Sequence, residues 1–156
     1  RLRADWENSA GNTHNRSELY ESRNYLLHIL STQPKVTYRF SGSMQSDLST
    51  SYILKTRTDG DEQLKMLSIT GALQWEHHKT SLRGSFSFVN NDFSGNSYSL
   101  VANQMLDGLK AGKNQVWSLY LQQNINTFLI LNINYEGRNS GNRTIHIGSV
   151  QLKASF

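Results

Sequence analysis

The end of the chain alternates with a period of two. Val150, Leu152, Ala154 and Phe156 are apolar, while Ser149, Gln151, Lys153 and Ser155 between them are polar. Successive side chains of a strand point to opposite faces. The segment therefore predicts a strand with one greasy face and one wet face, closed by an aromatic residue. A chain built from such strands can fold only as a sheet that covers its greasy face with something apolar.

The same period runs backward through the chain. In 127–136, Leu129, Leu131, Ile133 and Tyr135 share one face, and Ile130, Asn132, Asn134 and Glu136 the other. Trp117, Leu119 and Leu121 alternate with Ser118, Tyr120 and Gln122. Further upstream, Leu82, Gly84, Phe86 and Phe88 and then Leu67, Ile69, Gly71, Leu73 and Trp75 repeat the pattern. Tyr52, Leu54 and Thr56, then Val36, Tyr38, Phe40, Gly42 and Met44, then Leu2, Ala4 and Trp6 complete it. The reading is all-β: about eight antiparallel strands of about 9–12 residues, the length that crosses a bilayer at a tilt. Short turns are expected at 45–50, 76–79 and 124–126. Longer links are expected at 8–33, 59–63, 90–113 and 137–143, where Asp59-Gly60 is a hairpin signal. Short links at one end and long ones at the other are the asymmetry of a transmembrane barrel.

Composition agrees with a sheet that has one wet side. Only 37% of the 156 residues are apolar, below the ~45–50% of a soluble globule. A barrel with lipid outside and polar side chains inside needs no more. No apolar run reaches the ~18 residues of a membrane helix. The absence of cysteine excludes a disulfide scaffold and a thiolate metal site. The net charge of +4 carries no Lys/Arg run and no basic helix, so nucleic acid is not an expected partner. The first residue is Arg1, which predicts a processed chain or a piece of a longer one.

The charges follow the phase. Arg39, Lys55, Arg57, Arg83, Glu136 and Lys153 fall on the wet face, with Arg1, Arg3, Asp5, Glu7 and Lys35, and are expected to line or plug a lumen. Trp75, Trp117, Leu119, Leu121, Leu129, Leu131, Ile133 and Tyr135 are expected to face lipid, the aromatic residues near strand ends forming a girdle. A soluble lipocalin-like ligand-binding barrel with the same alternation turned inward is the alternative fold. Two segments break the pattern. The stretch 99–109 predicts a short helix in a long link, capped by Ser99 and ended by Gly108. The stretch 17–30 reads either as a helical link or as a strand extension, ended by Pro34.

The carboxy-terminal third carries Gly108-Leu109, Gly112, Asn114, Trp117-Ser118-Leu119, Asn134-Tyr135-Glu136-Gly137-Arg138, Thr144-Ile145-His146 and Val150-Gln151. On these residues it resembles the end of large outer-membrane β-barrel proteins of Bacteroidota. The resemblance implies a bacterial outer-membrane location. It implies outer-membrane lipid and lipopolysaccharide as surroundings, the barrel-assembly machinery as a partner, and further strands or subunits of a larger complex. Val150, Leu152, Ala154 and Phe156 would then form the strand on which that machinery docks. The nearest glycine, Gly148, lies farther from the end than in the proteobacterial pattern. No catalytic residue and no cofactor is implied.

Catalytic and metal patterns are weak. An outer-membrane lipid-modifying enzyme needs Ser, His and an acid together, and only Glu76, His78 and Ser81 cluster in sequence. His77 and His78 are adjacent and would point to opposite faces of a strand, which is poor ligand geometry unless the turn curls. Asp59, Asp61 and Glu62 could hold calcium but read as a hairpin turn.

Overall fold

A computed structural model describes residues 1–15 and 25–154. Among these residues are eight strands and one short helix: β1 Leu2–Asn15, β2 Tyr25–Arg39, β3 Met44–Arg57, β4 Gln63–His77, β5 Thr80–Ser94, α1 Leu100–Met105, β6 Gly112–Asn124, β7 Leu129–Ser140 and β8 Arg143–Ala154. All strands pair antiparallel with their chain neighbours in one sheet of order β1 to β8. The sheet is open: β1 pairs only with β2, and β8 only with β7, among the described residues. Phe156, expected to close the last strand, lies outside the described residues.

Partners in an antiparallel ladder share a face, so the register sorts every side chain. One continuous face carries the even positions of β1, β2, β3, β5 and β8 and the odd positions of β4, β6 and β7. That is the greasy phase read from the sequence, and it is unbroken across the sheet.

Several boundaries differ from the sequence reading. The stretch 45–50 is not a turn; it belongs to β3, and the turn lies at 40–43. Of the stretch 8–33, residues 8–15 belong to β1 and 25–33 to β2, and 16–24 lie outside the described residues. The 137–143 link shrinks to a two-residue turn at Gly141-Asn142, with Gly141 at φ +64°. The cause is common to all three: backbone pairing continues beyond the apolar residues, since the ladder needs N–H and C=O groups rather than greasy side chains. Among the described residues, the length asymmetry between the two ends therefore rests on the 95–111 link. Pro34 does not end a segment. It sits inside β2 opposite Trp6, and the β2–β3 ladder skips it, as a residue without an N–H requires.

The packed core is not on the greasy face. Leu27, Leu64, Met66 and Val89 are buried on the wet face and covered by Val101, Met105 and Leu106 of the 95–111 link. The helix forms as predicted at its start: Ser99 Oγ accepts the Ala102 N–H at 3.0 Å. It ends at Leu106, one step before the left-handed Asp107 and Gly108.

Candidate functional site

Among the described residues, no element packs over the greasy face. Leu48 (57% exposed), Phe88 (55%) and Val150 (70%) are typical, and most exposed large hydrophobics among the described residues lie on this face. Contiguous exposed apolar patches of more than a few hundred Å² mark surfaces that meet a partner or a lipid phase.

The upper edge of the patch, toward the long links, is a staircase. On β3 it is Leu54, whose partner on β4 is Lys65; the last apolar residue of β4 is Leu67, two residues on. Leu67 pairs with Asn90, and the β5 edge is Phe88. Phe88 pairs with Gln115, and the β6 edge is Trp117. Trp117 pairs with Gly137, and the β7 edge is Tyr135; Tyr135 pairs with Gly148, and the β8 edge is Val150. At each step from β3 to β8 the partner across the ladder is polar or glycine and the edge drops by two residues. Two residues are ~6.6 Å along a strand and neighbouring strands are ~4.8 Å apart, so this edge slopes by ~50° to the cross-strand rows. The lower edge holds one row through Met44, Trp75, Leu82 and Leu121 and then drops to Leu129 and Ala154. From β3 to β8 the midline of the band, averaged over its two edges, therefore slopes by ~45°, while β2 meets β3 on a single row at Leu30–Leu54.

Trp6 Nε1 donates to Thr32 Oγ1 at 2.8 Å and to Asn8 Oδ1 at 3.1 Å, in the cross-strand row of Tyr52, one row inside the Leu30–Leu54 edge. Tyr135 OH lies 2.8 Å from His146 Nδ1, and the two rings stack. The Trp117 indole lies across Gly137, and Phe86 stacks beside it.

The opposite face has three zones. Near the short turns, Arg39 Nη2 donates to Gln45 Oε1 at 3.2 Å and Arg83 Nη2 to Gln74 Oε1 at 2.9 Å, in one cross-strand row. Arg3 pairs with Asp5, and Lys35 with Asp47 at 3.1 Å. The middle zone is a floor of small hydroxyls that pair with each other, Thr70 with Ser87 at 2.8 Å and Ser85 with Ser118 at 2.7 Å. The third zone, at the long-link end, is the apolar cluster with α1 on it.

The polar residues around that cluster hold the link. Lys55 Nζ donates to Met105 O at 2.8 Å and to Asp107 Oδ2 at 2.7 Å. Ser140 Oγ accepts the Lys110 N–H at 2.8 Å, Asn114 Nδ2 and Asn91 Nδ2 donate to Lys110 O, and Arg138 donates to Gly108 O. Arg57 lies at the rim between Asp59 (3.0 Å) and Glu62 (3.2 Å). Its guanidinium hydrogen-bonds Asp59 and holds that carboxyl below the usual aspartate range, while the two carboxylates raise Arg57 above its own.

The register places Trp75, Trp117, Leu119, Leu121, Leu129, Leu131, Ile133 and Tyr135 on the greasy face with Val150, Leu152 and Ala154. It places Arg39, Lys55, Arg57, Arg83, Glu136 and Lys153 together on the other face. Lys55 and Arg57 are taken up by the links, so they do not line open space. Glu76 and Ser81 are partners, but His78 takes a left-handed turn position and packs edge-on against His77, 4.0 Å between ring centres. Asp59 and Glu62 share Arg57. Sequence reasoning missed the grip on the link by Asn91, Asn114, Arg138 and Ser140. The available signal was a set of apolar residues on the wet phase, Leu27, Ile29, Ile53, Leu64, Met66 and Val89, clustered near one end of four adjacent strands.

Compared with known proteins, the chain matches no family model, no curated protein and no solved structure.

Proposed function

We propose that the chain is part of the wall of an integral β-barrel of the bacterial outer membrane, with its greasy face to lipid and its wet face to a lumen. The observation that carries this reading is the sloping apolar band. Strands of transmembrane barrels tilt by ~35–45° to the membrane normal, so a flat membrane cuts obliquely across the hydrogen-bonded rows. A band sloping by ~45° is what that geometry requires. Along β3 the band runs from Met44 to Leu54, ~33 Å along the strand and ~23 Å across a 45° slope, near the ~25 Å apolar belt of such barrels.

Other features agree. Tyr135 sits at the band edge with its hydroxyl turned outward to His146, as an interfacial anchor does. Lys65 and Lys113 stand just above the edge on the same face, placed for the phosphates of lipopolysaccharide. A soluble lipocalin-like barrel would turn the same face inward, yet the packed helix lies on the other one. The open edges of β1 and β8 present unpaired backbone groups, which are not tolerated within lipid. Further strands of a larger barrel would satisfy them. The terminal strand, with Val150, Leu152 and Ala154 on the lipid side, would then be where the barrel-assembly machinery docks, in keeping with the resemblance to Bacteroidota barrels.

Heat-modifiable migration of the folded protein, together with extraction by detergent only, tests this reading. A monomer that stays soluble without detergent would refute it.

A further inference from the structure

We infer that the 95–111 link is a resident plug: it stays on the wet face and closes the long-link end of the lumen to solutes, leaving the hydroxyl floor reachable from the short-turn end. The inference rests on the proposed reading of that face as a lumen.

A water-filled wall has no use for apolar side chains, yet Leu27, Leu64, Met66 and Val89 converge on the wet face at one end, buried. They make sense only beneath a permanent cover, and Val101, Met105 and Leu106 provide it. A link that merely fell across the opening would be held by its own apolar contacts. This one is also gripped by polar side chains from four separate strands: Lys55 on β3, Asn91 on β5, Asn114 on β6, and Arg138 and Ser140 on β7. Lys55 is 8% exposed, so its ammonium is committed to the Met105 carbonyl and the Asp107 carboxylate rather than to water.

The backbone is shaped to fold inward. Gly95 leaves β5 at φ +118°, where a Cβ would lie 2.8 Å from Glu62 Cγ, and Gly112 enters β6 at φ +91°. Both ends of the link thus turn through conformations open to glycine. Below the link, Thr70, Ser85, Ser87 and Ser118 offer short side chains paired to one another, which keep that part of β4 to β6 low.

The test uses the full-length protein in lipid vesicles. The segment has no cysteine of its own, so single cysteines report cleanly. Ser85→Cys probes the floor with a membrane-impermeant maleimide applied from each side, and a spin label at Leu131→Cys reports lipid contact. With the link detached in ~10% of molecules or fewer, as for an ordinary minor state, labelling of Ser85→Cys from the long-link side is about tenfold slower than from the short-turn side. Adding Lys55→Met with Met105→Asp removes that difference, with heat-modifiable migration confirming that the sheet still folds. If Leu131 reports lipid and Ser85→Cys labels equally from both sides with the link intact, the plug is overturned and the wall stands. If Leu131 reports water, the wall fails and the plug with it. The comparison on the intact link needs no destabilising variant.

Discussion

The indole of Trp117 on β6 lies directly over Gly137, its partner on β7, filling the space a side chain would take. The glycine is buried under the ring although both residues lie on the exposed greasy face. Any Cβ at position 137 collides with the indole, so the pair defines how the staircase passes from β6 to β7.

Gly137→Ala is therefore expected to push the indole off its neighbour and to cost about 1–3 kcal/mol, as overpacking does. Gly71→Ala, on the same face with nothing within 4 Å, is expected to stay within about 0.5 kcal/mol of the parent. Urea unfolding in detergent, followed by tryptophan fluorescence, separates the two. Equal effects would mean that the indole does not rest on Gly137.

The link should behave as a local unit of stability. Met105 is fully buried in the cluster, and Met105→Ala is expected to cost about 2–4 kcal/mol. The loss should appear as faster hydrogen exchange over 99–110, with β6–β8 unchanged. Asp107→Ala leaves Lys55 with only a carbonyl partner and is expected to cost about 1.5–3 kcal/mol in the same readout. Uniform deprotection of the sheet by either variant would show that the link is not a separate unit.

The rim predicts a pH dependence. Asp59 is held below its usual range by the Arg57 hydrogen bond, and Arg57 is raised by Asp59 and Glu62. A depressed carboxylate contributes stability that is fully present above the ordinary aspartate value of ~3.9 and is lost as pH falls through the lowered one. Arg57 stays charged throughout. The 58–62 link should therefore keep its order at pH 5 and loosen only in stronger acid. Carboxyl NMR titration checks this, and Arg57→Ala should return Asp59 to its ordinary range.

Charge tolerance should differ between the faces of one strand. Leu152→Arg puts a charge on the greasy face of β8, near the lower edge of the band, and Gln151→Arg puts the same charge on the wet face. A lipid-facing arginine costs ~2–4 kcal/mol at the midplane and ~0–1 near an interface. The first variant is expected to cost an intermediate amount and the second to be near neutral, in unfolding from lipid vesicles. Equal costs would speak against the assignment of faces.

The sequence made the period-two wall legible wherever apolar and polar residues alternate strictly, as from Trp117 to Ala154. It did not reveal where strands end. Asn8–Asn15 and Gly137–Ser140 extend the ladder with polar or small side chains on both faces, and the resulting pattern reads as a link. The helix after Ser99 was visible from its cap, but its docking was not. Ile53 and Met66 look like lapses in a polar phase until register brings them beside Leu27 and Val89 under Met105. The staircase is also hidden in sequence, because it exists only between strands whose relative register the sequence does not state.

That staircase gives the most direct test. Spin labels placed singly at Leu54, Leu67, Phe88, Trp117, Tyr135 and Val150 of the protein in lipid vesicles can be ranked for immersion depth by relaxation with lipid-soluble and water-soluble agents. The account predicts one common depth for all six. It also predicts that labels along the single cross-strand row Leu48, Gly71, Phe86, Trp117 and His146 become steadily shallower from β3 to β8. A constant depth along that row, or no lipid contact at the six edge positions, would contradict it.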